Sequence, residues 1–307
     1  MIDSSSRRSF LKAASVLLAS AFTGFPYQQG ASAPRLSFST IGCPDWDFTT
    51  IVHFAARHGY SGIELRGIQR ELELPNAAAF KTRAALAASM ALMKEKGVAF
   101  AGLGSSANLH FKKGPEREKN MAEARRFIDL AQQLNCPYVR VFPNKFPKDQ
   151  EKAETMELIA SGLLQLAGHA KGTGVTVLLE THGEVVRAAD LAQIMQVAAH
   201  PNVGLIWDIS NMWTVTRESP AEVYPQLKKY IRHCHIKDAS TTGDQLQYRL
   251  LGKGDVPVFD AIDILHKDGF EGYYSFEWEK LWHPEIEAPE TALADYPNVM
   301  KQHFLNL

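Results

Sequence analysis

From Leu36 onward, short β-rich apolar runs alternate with longer stretches whose apolar residues recur at helical spacing. This is the pattern of repeated βα units around a parallel sheet. Strands are expected at Leu36 to Ile41, Gly62 to Leu65, Val98 to Leu103, Tyr138 to Phe142, Val175 to Glu180, Val203 to Asp208, Ile231 to Ile236 and Gly272 to Glu277. Helical periodicity runs through Ala77 to Lys96, Glu116 to Leu134, Glu151 to Lys171 and Arg187 to Ala199. Gly97, Gly172 with Gly174, and Gly269 fall where helices must stop before the next strand. Roughly eight such α/β units closing on themselves make a single-domain (β/α)8 TIM barrel. An open doubly wound sheet shares this local alternation. The dinucleotide fingerprint G-x-G-x-x-G is missing after the first strand, which removes the commonest reason to prefer that fold. The stretch from Ala239 to Pro257 is too long for an ordinary βα loop and is expected to be a lid or substrate clamp.

Parity along a barrel strand decides which side chains meet at its axis. Thr176, Leu178, Glu180 and His182 share one face; so do Gly204, Ile206 and Asp208; His233, His235 and Lys237; and Tyr273, Ser275, Glu277 and Glu279. The opposite faces, such as Val175, Val177 and Leu179 or Val203, Leu205 and Trp207, suit packing against helices. Glu180, Asp208, His235 and Glu277 are therefore expected to point inward near the C-terminal mouth, where barrel enzymes keep their chemistry. Three carboxylates converging without a partner would neutralise or push the site apart, and a divalent cation resolves this. Three oxygens and an imidazole nitrogen, with positions left for substrate, suit Mn²⁺ or Mg²⁺ and tolerate Co²⁺ or Zn²⁺.

His182 and Lys237 share the ligand parity slightly further out, as substrate contacts or as supports for the ligands. Glu64 and Arg66 end the second strand facing the same way, either as substrate contacts or as a structural ion pair. His233, deeper than His235, is expected to support a ligand. Arg249, in the long loop, is a candidate for orienting an anionic or hydroxyl-rich substrate. Trp46, Trp213 and Trp278 either stack on a sugar ring or simply pack.

The chain of 307 residues, 45% hydrophobic and 22% charged, suits a globular protein with one sizeable core. A formal net charge of -1 argues against a nucleic-acid partner and for a small molecule. Cys43, Cys136 and Cys234 form no C-x-x-C pair and read as buried small hydrophobes. At the start, Ser6-Arg7-Arg8-Ser9-Phe10-Leu11-Lys12 precedes an apolar stretch from Ala13 to Phe22 and resembles the twin-arginine export motif S-R-R-x-F-L-K. Ala31-Ser32-Ala33 has the form of a cleavage site, although Pro34 after it is unfavourable for the usual peptidase. The expectation is a signal peptide over residues 1–33, a barrel over 34–307, a periplasmic destination and no stable membrane insertion.

The strings L-L-E-T-H around Glu180, G-L-I-W-D around Asp208, H-C-H-I-K-D around His235, L-G-K-G-D-V-P from Leu251 to Pro257 and Y-S-F-E-W-E around Glu277 resemble the xylose isomerase-like TIM-barrel family. That family includes ketose 3-epimerases, hydroxypyruvate isomerases, inosose-handling enzymes and endonuclease IV. The resemblance implies that Glu180, Asp208, His235 and Glu277 bind the metal. It also implies that Glu180 and Glu277 are the acid/base pair of an isomerase or epimerase acting on a sugar-like hydroxy-carbonyl compound through an ene-diolate, and that the protein is a homodimer. Many epimerases of the family carry a substrate-contacting His three residues after the sixth-strand Asp. Here that position is Asn211, which can hydrogen-bond a hydroxyl but cannot relay a proton near neutral pH. A lyase or hydratase acting on 3-keto-glycosides is the alternative enzyme, and a non-catalytic exported sugar-binding module the alternative of another class.

Overall fold

The computed structural model describes residues 34–242 and 245–307; the export signal expected over residues 1–33 lies outside the described residues. The strands are β1 (Arg35–Ser39), β2 (Gly62–Leu65), β3 (Ala99–Asn108), β4 (Tyr138–Phe142), β5 (Thr176–Glu180), β6 (Val203–Asp208), β7 (Ile231–Ile236), β8 (Asp238–Thr242), β9 (Gln245–Arg249) and β10 (Tyr273–Phe276). Eight of them close a parallel barrel in the order β1-β10-β7-β6-β5-β4-β3-β2, while β8 and β9 pair with each other as an antiparallel hairpin. The helices are α1 (Phe48–Arg57), α2 (Arg83–Lys96), α3 (Pro115–Leu134), α4 (Lys152–Ala170), α5 (Ala188–Val197), α6 (Ile209–Thr216), α7 (Pro220–Leu227), α8 (Val258–Lys267) and α9 (Pro289–Leu305). Among the described residues no helix is long and apolar enough to cross a membrane.

The eight expected strands occur, with one extension and one shifted helix. β3 runs on to Asn108, and its pairing with β4 slips between Gly104 and Asn108, which lets small polar residues stay in the strand. The helix expected from Ala77 begins instead at Arg83. Thr82 accepts the amide of Ala85 at 3.1 Å as its N-cap, while Ala77 to Phe80 turn before it. Gly97 then ends α2 in the left-handed region, φ 66°, where a side chain would be strained. The outer faces of the strands pack on the helices as their pattern requires: Val177, Leu179, Leu205 and Trp207 are buried, each worth about 1.5–3 kcal/mol of apolar burial. The three cysteines are buried and unpaired, and burial pushes the Cys136 thiol up to about 12.

The long segment after β7 is a built structure and not an open loop. Asp238, 2% exposed, accepts the amides of Ala239 and Val256 on Oδ1 and those of Gly252 and Gly254 on Oδ2, at 2.8–3.3 Å. One carboxylate thus pins the return of the chain beneath the β8–β9 hairpin. A Cβ on Gly254 would stand 2.2 Å from Asp238 Oδ1 and 2.4 Å from the Ala239 carbonyl oxygen, so glycine is required there. Asp238→Ala is expected to lower unfolding stability by about 3 kcal/mol, because buried amides lose a charged acceptor. A denaturant midpoint equal to that of the parent would contradict this.

Candidate active site

Glu180 ends β5, Asp208 ends β6, His235 lies in β7 and Glu277 directly follows β10. The four are no more than 3% exposed. One donor atom from each lies within 4.8 Å of all the others. His235 Nδ1 stands 3.3 Å from Glu277 Oε2, 3.5 Å from Glu180 Oε1 and 3.8 Å from Asp208 Oδ2.

Neighbouring groups decide which atoms face the centre. His235 Nε2 lies 3.0 Å from both oxygens of Glu64 and donates to them, which turns Nδ1 towards the carboxylates without a hydrogen-bond partner. Glu64 is held in turn by Ser275 Oγ at 2.9 Å and His233 Nε2 at 2.8 Å. Asp208 Oδ1 accepts the amide of Asn211 at 2.8 Å, capping α6, and Oδ2 pairs with the Lys237 ammonium 2.8 Å away. Thr181 Oγ1 accepts the Asp208 amide at 2.8 Å and fixes the end of β6. Buried polar atoms are almost always paired. One that is not, His235 Nδ1, converges with Asp208 Oδ2, Glu180 Oε1 and Glu277 Oε2 in a spacing and donor set that fit one divalent cation. Glu64, His233 and His235 also cluster, but their 2.8–3.0 Å separations are hydrogen-bond lengths and make that group a support.

Charge is balanced tightly around this centre. Burial would raise the Glu180 carboxyl, but the Arg140 guanidinium, 2.8 Å from its Oε2, holds it below the usual carboxylate range. Burial would likewise raise Glu277, yet His235 and Lys237 hold it well below that range. Lys237 Nζ donates to Glu277 Oε2 at 2.6 Å and Glu279 Oε1 at 2.9 Å. Burial lifts Glu279 above the ordinary value in spite of Lys237.

Above the four residues opens a cavity of about 330 Å³, a size suited to a small metabolite. His182, Asn211 and Lys237 line it, and His182 Nδ1 and Asn211 Nδ2 are buried without partners. Two expected substrate contacts need correction. Glu64 has the inward parity but lies below His235, both oxygens used by protein donors, and it neither lines the cavity nor pairs with Arg66. Arg249 bonds Ser240 and Gln247 within its own hairpin; successive hairpin residues face opposite ways, and its neighbour Tyr248 is the one at the cavity. Trp278, Trp46 and Trp213 pack against Phe276, Phe54 and Arg217, whereas Trp282, 54% exposed, stands at the cavity.

Arg140 and Glu279 also line the cavity and were not singled out as site residues from the sequence. The signal was present for both. Arg140 sits between outward Val139 and Val141 in β4, and Glu279 shares the face of Glu277. Because Glu64 orients His235, Glu64→Gln is expected to weaken metal binding about 10–100-fold, measured as the dissociation constant for Mn²⁺. Unchanged affinity would show that His235 needs no such support.

Fold and site together define a closed (β/α)8 barrel with a buried carboxylate–imidazole cluster at the C-terminal mouth. The chain belongs to the xylose isomerase-like TIM barrel family, whose sequence model matches residues 52–303. It is 25% identical over 230 residues to a 3-dehydroshikimate dehydratase of Bacillus anthracis, covering 70% of this chain and 78% of that protein. Its fold is shared by a D-tagatose 3-epimerase-like protein (TM-score 0.70, 18% identity, 88% of this chain and 97% of that one). It is shared also by a xylose isomerase-like TIM barrel protein from Mycobacterium smegmatis in complex with magnesium (TM-score 0.67, 17% identity, 89% and 96%).

Proposed function

We propose that this protein is a divalent-metal-dependent isomerase or epimerase that moves a proton on a carbon beside the carbonyl of a small hydroxy-carbonyl compound. The observation that carries this reading is the convergence of His235 Nδ1, which has no hydrogen-bond partner, with Asp208, Glu180 and Glu277 beneath a small polar cavity. Glu180, Asp208, His235 and Glu277 would hold the ion, with Mn²⁺ or Mg²⁺ favoured by three oxygens and one nitrogen. A cation there supplies Lewis-acid stabilisation of negative charge developing on adjacent carbonyl and hydroxyl oxygens. Glu180 and Glu277 both face the cavity, and Arg140 and Lys237 keep them ionised. One takes the carbon-bound proton; the other, once it has drawn a proton from water, delivers it to the opposite face, giving the epimer, or the first returns its proton to the neighbouring carbon while the hydroxyl proton passes between the two oxygens, giving the aldose or ketose isomer.

A second reading, loss of water after proton abstraction, is favoured by the likeness to a dehydratase. It is favoured also by Glu279, which burial keeps disposed to hold a proton beside Lys237 and Glu277. In that case the departing hydroxyl takes the proton and a carbon–carbon double bond forms. Export through the segment 1–33 to the periplasm is part of the proposal and points to unphosphorylated substrates.

The test is proton exchange in D2O on ketoses, inososes, 3-keto-glycosides and hydroxylated keto acids, followed by NMR with metal-loaded protein. Deuterium appearing at one carbon with an epimer or isomer as product is the expected result. A dehydrated product would favour the second reading. No exchange in any class would leave a binding module as the better account.

A further inference from the structure

Two guanidinium groups share one wall of the cavity. Arg66, directly after β2, and Arg140, in β4, both line it at 6% and 3% exposure. Gly104 in β3 makes room for the pair: a Cβ there would stand 2.8 Å from Arg66 Cδ and 3.1 Å from Arg140 Nη2. The two side chains differ in what they hold. Arg140 donates Nη1 to Glu180 Oε2 at 2.8 Å and Nη2 to the Ser105 carbonyl at 2.9 Å, with its guanidinium 4.0 Å from the Phe142 ring centre. Its work is to position Glu180.

Arg66 is differently placed. Nη2 donates to Ser106 Oγ at 2.9 Å, and the buried Nη1 has no partner. Among the described residues no carboxylate makes an ion pair with Arg66; the acids of this wall are taken by Arg140, Lys237 and His235. Glu123, Glu180 and Glu277 attract it only at longer range: Glu123 accepts the Ser106 amide, and the other two are paired with Arg140 and Lys237. Burial, and then the charge of Arg140, draw the Arg66 guanidinium down to about 10, so it remains a cation at neutral pH. A buried cation with an unused donor beside a second cation is costly unless an anion joins it. Guanidinium is the side chain whose planar fork matches a carboxylate.

We infer that Arg66 is a recognition residue for a carboxylate on the substrate, and that the substrate is an acidic hydroxy-carbonyl compound and not a neutral sugar. This rests on the proposed function for the placement of the hydroxy-carbonyl end at Glu180 and Glu277; the charge requirement comes from Arg66. A phosphate ester is the less fitting anion. One unpartnered guanidinium nitrogen in a cavity of about 330 Å³ offers few donors for three phosphate oxygens.

Calorimetry on Mn²⁺-loaded protein tests the charge directly with two pairs of compounds. 5-Keto-D-gluconate is compared with L-sorbose, which has a hydroxymethyl group in place of the carboxylate, and hydroxypyruvate with dihydroxyacetone. The acid of at least one pair is expected to bind about tenfold or more tightly than its neutral counterpart, the size of a charge-assisted hydrogen bond. Arg66→Gln is expected to erase that preference with Mn²⁺ content retained; Arg66→Lys should keep part of it. Equal affinities within both pairs, a preference intact in Arg66→Gln, binding of neither acid, or tighter binding of fructose 6-phosphate than of either acid would overturn the inference. The parent comparison decides even where Arg66→Gln folds poorly. Loss of proton exchange with the acid preference intact counts against the proposed reaction alone. Exchange on neutral ketoses without any acid preference counts against the Arg66 assignment alone.

Discussion

His235→Ala is expected to reduce bound metal from about one ion per chain to a small fraction of that, with the barrel still folded. His235 supplies the single nitrogen of the set, and its removal leaves Glu180, Asp208 and Glu277 facing one another without the atom that completes the site. Mass-spectrometric metal analysis of parent and variant, each reconstituted with Mn²⁺, Mg²⁺, Co²⁺ and Zn²⁺ in turn, measures the effect. The proton balance gives a second reading of the same site. Burial would lower the His235 imidazole, but Glu277, Glu64 and Glu180 outweigh it and hold it well above its usual range in the metal-free protein. The raised value means that the cluster carries a proton at neutral pH, which a cation must displace. Binding is therefore expected to release about one proton per ion, and affinity to rise as pH rises towards that elevated value. Titration calorimetry in two buffers of different ionisation heat reads the proton. A parent protein that takes up none of the four ions would sink both the site and the reaction built on it.

The other large effect is chemical. Glu277→Gln at saturating Mn²⁺ is expected to slow carbon-proton exchange by about 10²–10⁴-fold, the usual contribution of a positioned acid or base. The amide preserves the shape and one oxygen donor, and Lys237 keeps Asp208 and Glu279 as partners. Loss of rate can thus be separated from loss of metal by assaying at equal occupancy. A fall smaller than about tenfold with full occupancy would remove Glu277 from the proton-transfer step and leave Glu180 to act with another group.

Much of this architecture could be read along the chain because its signals are local. Val203–Asp208 announces itself by an apolar run with the inward Asp208 at its end, and Ile231–Ile236 by an alternation that puts His233 and His235 on one face. β5, β6, β7 and β10 are neighbours in the closed sheet, so the inward acids and imidazole of one parity row meet in space. β3 was harder to bound, since Ser105, Ser106 and Asn108 look like loop residues until β4 is beside them. Arg140 was overlooked although it alternates with Val139 and Val141, because an arginine within a strand reads as a solvent-facing residue until the barrel buries it.

The period of each segment, the number of βα units and the facing of Glu180, Asp208, His235 and Glu277 are written in the chain, since these follow from the two-residue repeat of a strand and the pitch of a helix. Height and partnership arise from the closing of the barrel. Glu64 has the same inward parity as the ligands, yet the stagger of the strands places it beneath His235, where it accepts the Nε2 hydrogen bond and turns Nδ1 towards the carboxylates. Arg66, just past β2, and Arg140, in β4, become neighbours across β3 because Gly104 leaves the gap between them open. Such relations depend on where strands far apart in the chain come to rest against each other, and a local repeat carries no information about that distance.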